Sequence, residues 1–235
     1  MLKKILFGAL TVLLTLSLVG CGGKKDEGAA KPEEKSAEVV VEGTADKAVL
    51  AYAQLYAYGV IEDENQAAAG LTDADIEKAQ EQVIKPIIDA FKQYPLSEES
   101  VATMTAQYIE KLHAAMAMKA TVKTEDKEHP VVELTATTIN QEGAAQVAES
   151  NADLVALGSA YGELQAQGLT DEQLKESPEF QQFALESIDK FINEFPLNPE
   201  ASIEVTCNVA EGSDGKKYWA PADPAVVAKF VTGQK

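Results

Sequence analysis

Side chains able to bind metal, attack a carbonyl or shuttle a proton are few in this sequence, apart from its many carboxylates. It holds two histidines, His113 and His129, and two cysteines, Cys21 and Cys207. No His-x3-His or Cys-x2-Cys pair is present, so the spacing that seats zinc is missing. His129 stands in a charged turn before Pro130 and reads as solvated, while His113 follows Leu112 and reads as a helix-boundary residue. Asp63-Glu64-Asn65 and Asp214-Gly215 are too sparse for the alternating oxygen ligands of a calcium loop. Cys207 takes an inward slot between Val205 and Val209 and reads as a small buried hydrophobe. Ala156-Leu157-Gly158-Ser159-Ala160 lacks the second glycine of a serine-hydrolase elbow. Neither a P-loop nor Gly-x-Gly-x-x-Gly occurs, so no phosphate-cradling loop is available. Acidic pairs such as Glu98-Glu99 are unavoidable among 38 acidic residues and read as solvated faces. These readings predict no enzyme, no metal and no cofactor. Tyr52, Tyr56 and Tyr58 crowd one helix and read as core. Tyr218 and Trp219 are the residues that could line a groove between a hairpin and the helices, each having an apolar body and a polar tip.

Charge narrows the partners. The 235 residues include 20 basic ones, all lysine, against 38 Asp and Glu, for a net charge of −18. Nucleic acid is excluded as a partner, because phosphate affinity rests largely on Lys and Arg. The absence of arginine also removes the planar fork that grips phosphate and carboxylate bidentately. A hydrophobic fraction of 46 % argues for a packed core rather than disorder.

The N-terminus says where the chain goes. Lys3 and Lys4 precede an apolar run, Ile5 to Val19, interrupted only by Gly8, Thr11, Thr15 and Ser17. That is the pattern of a secretory signal, and it is shorter than the ~20 residues of a membrane span. Leu18-Val19-Gly20-Cys21 resembles the lipobox of bacterial lipoproteins. The resemblance implies cleavage between Gly20 and Cys21, acylation of Cys21, and export to a membrane surface. That surface is the outer leaflet of the cell membrane, or the outer membrane in a host with two. Two or three acyl chains hold stably where one binds marginally. Loss of residues 1–20 takes Lys3 and Lys4 with it and leaves 18 Lys against 38 acidic residues, a net −20. Cys207 is then the sole free thiol expected, so no disulfide forms within the chain despite an exported location.

Residues 21–45 read as the acylated cysteine and a flexible tether rich in Gly, Lys, Glu and Ala. A tether of this length reaches about 25–30 Å, at roughly 5–6 Å per square-root residue. Val39-Val40-Val41 reads either as part of it or as a short strand added to a sheet edge. Residues 46–235 read as one folded module. Helices are expected at 46–58, 72–91, 97–116, 142–167, from Pro178 onward, and in a last short piece after Asp223-Pro224. Pro86, inside the second helix, predicts a kink or break. Residues 118–124 and 131–139 read as a hairpin. Ile203, Val205, Cys207 and Val209 alternate with Glu204, Thr206 and Asn208 as in a half-buried strand, which returns through Gly212–Gly215 to Lys216–Ala220.

The module reads as two similar halves, 46–140 and 141–235. Tyr52-x-x-Leu55, Leu71-Thr72-Asp73 and Tyr94-Pro95-Leu96 are matched in order by Tyr161-x-x-Leu164, Leu169-Thr170-Asp171 and Phe195-Pro196-Leu197. Thr72 with Asp75 and Thr170 with Gln173 form capping boxes. The expected class is α+β, mostly helical, with the two hairpins forming a small antiparallel sheet covered by helices.

With its lipobox, tether, Leu-Thr-Asp steps, aromatic-Pro-Leu stops and closing Tyr218-Trp219-Ala220-Pro221, the chain resembles small bacterial lipoproteins of Firmicutes type that export a domain of unknown function. The resemblance implies a membrane partner through the lipid anchor and a compact mixed fold, and supplies no catalytic residue. The expected function is a non-enzymatic module that binds an envelope protein or a small ligand. The alternative is a sensor or ligand carrier with a cleft between the halves. A carrier needs a pocket of ~300–1,000 Å³, a partner binder an exposed apolar patch. Cys21→Ala is expected to abolish labelled palmitate incorporation and to release the chain from membranes; labelling of the variant at the wild-type level contradicts the anchor.

Overall fold

The computed structural model describes residues 40–234. Gly20, Cys21 and the tether as far as Val39 lie outside the described residues. The order of elements is β1 (Val41–Glu42), α1 (Ala45–Tyr58), α2 (Asp63–Ala69), α3 (Asp73–Phe91), α4 (Glu98–Ala115), β2 (Met118–Thr124), β3 (Val131–Ile139), α5 (Gln141–Ser150), α6 (Ala152–Ala166), α7 (Asp171–Lys175), α8 (Pro178–Asn193), β4 (Leu197–Glu211), β5 (Lys217–Pro221) and α9 (Pro224–Val231). The class is α+β, and helix predominates.

The helices start where side chains can satisfy the free N–H groups of a first turn. Thr72 accepts the Asp75 N–H at 3.3 Å and donates its own N–H to the Asp75 carboxylate at 3.0 Å. Thr170 and Gln173 repeat the arrangement at 2.9 and 3.3 Å. Ser97 caps α4, and Gln181 of α8 accepts both the Ser97 N–H and the Ser100 hydroxyl while donating to the Pro95 and Leu174 carbonyls. One amide thereby ties α4, α7 and α8 together.

Two helix boundaries differ from the sequence reading. The run expected at 142–167 divides at Asn151, which closes α5 by donating its N–H to Val147 and opens α6 by accepting the Leu154 N–H at 3.0 Å. Its side-chain amide also reaches Glu194 at 2.8 Å. By contrast α3 runs unbroken through Pro86. The ring removes a hydrogen bond to the carbonyl of Gln82, which is exposed and can turn to water.

The sheet has five strands in the order β1-β5-β4-β3-β2. The hairpins β2–β3 and β4–β5 join through an antiparallel β3–β4 ladder, Leu134 opposite Ile203 and Val131 opposite Thr206. The hairpins thus form the antiparallel sheet expected of them, and β1, which includes Val41 of the valine triplet, adds at its edge, parallel to β5, with Val41 opposite Lys217 and Glu42 opposite Tyr218. The sheet is therefore mixed. Val132, Leu134, Ala136, Val205 and Cys207 are buried, while Ser202, Glu204, Thr206 and Asn208 are exposed on the opposite face.

The inner face carries α1, which packs on β2, β3 and β5, and α9, which packs on α1 and on the sheet. Next come α3 and α4, then α8 against α4, and α6 against α8. The landmarks shared by the halves sit at helix ends, but α1 lies on the sheet whereas α6 packs on α5 and α8. The one-sided sheet gives a direct test. Leu134→Ala is expected to cost about 2–5 kcal/mol in urea unfolding, and Thr206→Ala within about 0.5 kcal/mol of nothing; comparable losses contradict the assigned faces.

Candidate functional site

An open cleft of about 700 Å³ lies where β1, the start of α1, α2 with the turn after it, and the β4–β5 turn meet. Its two sides come from distant parts of the sequence: Glu42 to Thr72 on one, Ser213 to Tyr218 on the other.

The β4–β5 turn is held by its own residues. Gly212 donates its N–H to Lys216 O at 2.8 Å, and Gly215 donates to Gly212 O at 3.0 Å. The Asp214 carboxylate accepts the Tyr218 hydroxyl at 2.7 Å and the Lys216 N–H at 3.0 Å. These bonds, the tyrosine first, hold the Asp214 carboxyl below its ordinary range, and the same bond raises the Tyr218 phenol.

The Tyr218 ring fits only because its neighbours lack side chains. A Cβ on Gly70 would lie 2.3 Å from a ring carbon, and one on Gly212 would lie 2.7 Å from another. Gly70 also ends α2 with a φ of 61°, a left-handed conformation that favours glycine.

Charge lines the rim. Lys47 pairs with Glu64 at 2.8 Å and Lys216 approaches Glu42 at 3.8 Å; all four side chains are substantially exposed. The hydrogen bond to Glu64 raises the Lys47 ammonium. Exposed pairs of this kind hold a fold only weakly. They can be exchanged for contacts to an incoming polar group without loss of the fold.

Of the residues singled out for a groove, Tyr218 lines this cleft and Trp219 does not. Successive residues of a strand point to opposite faces. Trp219 packs instead in a small cluster with Ala48, Ala51, Ala69 and Leu71. Leu71 is also a cleft residue, so the cluster supports the wall from within. The sequence reading missed α2. Its seven residues, DENQAAA, carry no apolar stripe beyond alanine, yet Ala68 and Ala69 are buried and Asn65 donates to the Gln54 side chain at 3.1 Å.

A second, apolar groove of about 460 Å³ lies between α3 and α4, lined by Ile84, Ile88, Val101, Ala102 and Ile109 among others.

The remaining candidates are placed as follows. His129 contacts the Asn208 side chain at 2.9 Å in the exposed β2–β3 turn, whose Asp126 carboxylate accepts the Glu128 and His129 N–H groups. His113 is exposed, with its ring 4.9 Å from that of buried Tyr58. Burial raises the Tyr58 phenol to about 12. Glu98 and Glu99 occupy the first turn of α4, where a helix dipole favours acids. Ser159 donates to the Val155 carbonyl within α6. Among the described residues, no group of three His, Cys, Asp or Glu is placed to hold a metal ion.

No family model matches the chain, and no curated protein matches it in sequence. A solved structure does match in fold. It is a provisionally assigned lipoprotein, ycdA, from Bacillus subtilis, with 15 % sequence identity and a TM-score of 0.50. The match covers 80 % of this chain and 55 % of that one, so the chain spans little more than half the length of its neighbour. At this identity the likeness is one of fold.

Cys207 is fully buried on β4, and burial pushes its thiol from an ordinary 9.0 up to about 11. It is therefore expected to ignore a disulfide reagent in the folded protein at pH 8 and to react on unfolding. The linkage has a definite sign. The unfolded chain loses this proton near pH 9 while the folded one keeps it to about 11, so its contribution to stability is whole below pH 9 and falls away above. Fast labelling of the folded protein contradicts this placement.

Proposed function

We propose that the chain is a lipid-anchored envelope protein that binds a polar ligand in the cleft between its two halves and does no covalent chemistry. The observation that carries this reading is the cleft itself. Its volume, about 700 Å³, falls within the ~300–1,000 Å³ of ligand sites, and it joins segments from distant parts of the sequence. Its rim of weak, exchangeable ion pairs suits a ligand rich in hydrogen-bonding or charged groups. The protonated, sealed state of Cys207 supports binding over catalysis at that residue.

The anchor reading rests on the lipobox resemblance around Cys21, and the lipoprotein assignment of the Bacillus subtilis fold neighbour, a Firmicute protein, agrees with it. Among the described residues, no helix is long and apolar enough to cross a membrane. The apolar groove between α3 and α4 favours a second reading, a module that binds a partner protein.

Native mass spectrometry separates the two. The protein, solubilised from its own envelope, is expected to carry a few hundred daltons of added mass that is lost in Tyr218→Ala. A bound protein or a dimer supports the second reading. A bare monomer contradicts ligand retention in the cleft.

A further inference from the structure

The described residues begin at β1, directly beside the cleft. Among the described residues two pairs join β1 to β5, and the ion pair beside them, Glu42 with Lys216, is long and exposed. Gly43 then turns with a φ of 68° and presses on α2 so closely that a Cβ there would lie 2.6 Å from the Ala68 Cα. Glu42, Gly43 and Thr44 are all exposed. Immediately after them the attachment changes in kind. Helix α1 has nine buried residues, from Ala45 to Tyr58, and touches the sheet, α2, α3, α4 and α9. Loosely held backbone therefore abuts the most heavily packed helix, and local opening follows contact density.

We infer that Val41–Gly43 is a strap, released by a pull on the chain N-terminal to it before the rest of the sheet or α1 yields, the first turn of α1 being held by Thr44, whose carbonyl accepts the Ala48 N–H at 3.1 Å. Glu42 and Gly43 form part of the cleft. Release of the strap dismantles that wall and frees Lys216 from Glu42. A ligand held against the wall must then oppose release, and release must weaken its binding by the same factor. The source of the pull rests on the anchor at Cys21 proposed above, 20 residues before Val41; the order of release does not.

Force spectroscopy on the full, unacylated chain tests the order. One handle is placed on Cys21 and the other on Glu204→Cys, an outward-facing position of central strand β4; sealed Cys207 takes none. The expected trace shows a small reversible extension, on the order of 10 Å for three residues at ~3.3–3.6 Å each, before the main rupture. Gly43→Ala is expected to lower the force of that first step and to leave the main rupture unchanged. A single rupture in the wild-type chain overturns the strap, whether or not the variant folds, and so does an unaltered first step in a folded variant. A first step in a protein that takes no acyl label at Cys21 in its host refutes the anchor and leaves the strap standing.

Discussion

The contact of α1 with the inner face of the sheet is the constraint on which the other elements depend. Five of the nine buried residues on α1, Ala45, Ala48, Ala51, Ala53 and Ala57, are alanine, which forms helix readily and lets the backbone approach the strands closely. Val49, Ala53 and Tyr58 belong with Leu134, Met104, Phe91 and Val227 in the main core. Ala48 and Ala51 form a second cluster with Ala69, and Trp219 packs against both it and the main core. The helix is thus buried on more than one side, which a weakly amphipathic sequence permits. Enlarging one of these alanines forces side chains off their rotamers, typically at 1–3 kcal/mol. Surface charge does little to hold such a fold together: exposed ion pairs are worth at most about 1 kcal/mol, and an excess of 18 acidic over basic residues repels itself.

The cleft follows from this arrangement. With α1 fixed on the sheet, its N-terminus, α2 and the first strand stand beside the β4–β5 turn. Trp219 anchors β5 from the inner side, so that Tyr218 is presented on the other. Two glycines admit the Tyr218 ring, and Asp214 fixes its hydroxyl. Apolar packing behind the wall and exchangeable polar groups in front are what a site for a polar ligand requires.

Features encoded by neighbouring residues were legible in the sequence. Both capping boxes, the Ser177-Pro178 start of α8, the two hairpins and the alternating burial of Val205 and Cys207 are of this kind. The break at Asn151 was not, because Val147, Leu154 and Val155 keep helical spacing across it and a single asparagine serves both helices. Helix α2 was hidden by its alanines, which bury little area and give no stripe. The parallel pairing of β1 with β5 joins residues 176 positions apart, Val41 and Lys217, and no local pattern can announce it. The cleft was invisible for the same reason: its walls meet only in three dimensions. Pairing Tyr218 with Trp219 in one groove ignored the two-residue period of a strand.

The most direct test of the central claim is backbone amide NMR of the protein titrated with a small-molecule extract of its own envelope. Shifts are expected to concentrate at residues 42–44, 63–72 and 213–218, on both sides of the cleft. Shifts confined to α3 and α4, or to the outer face of the sheet, contradict that claim.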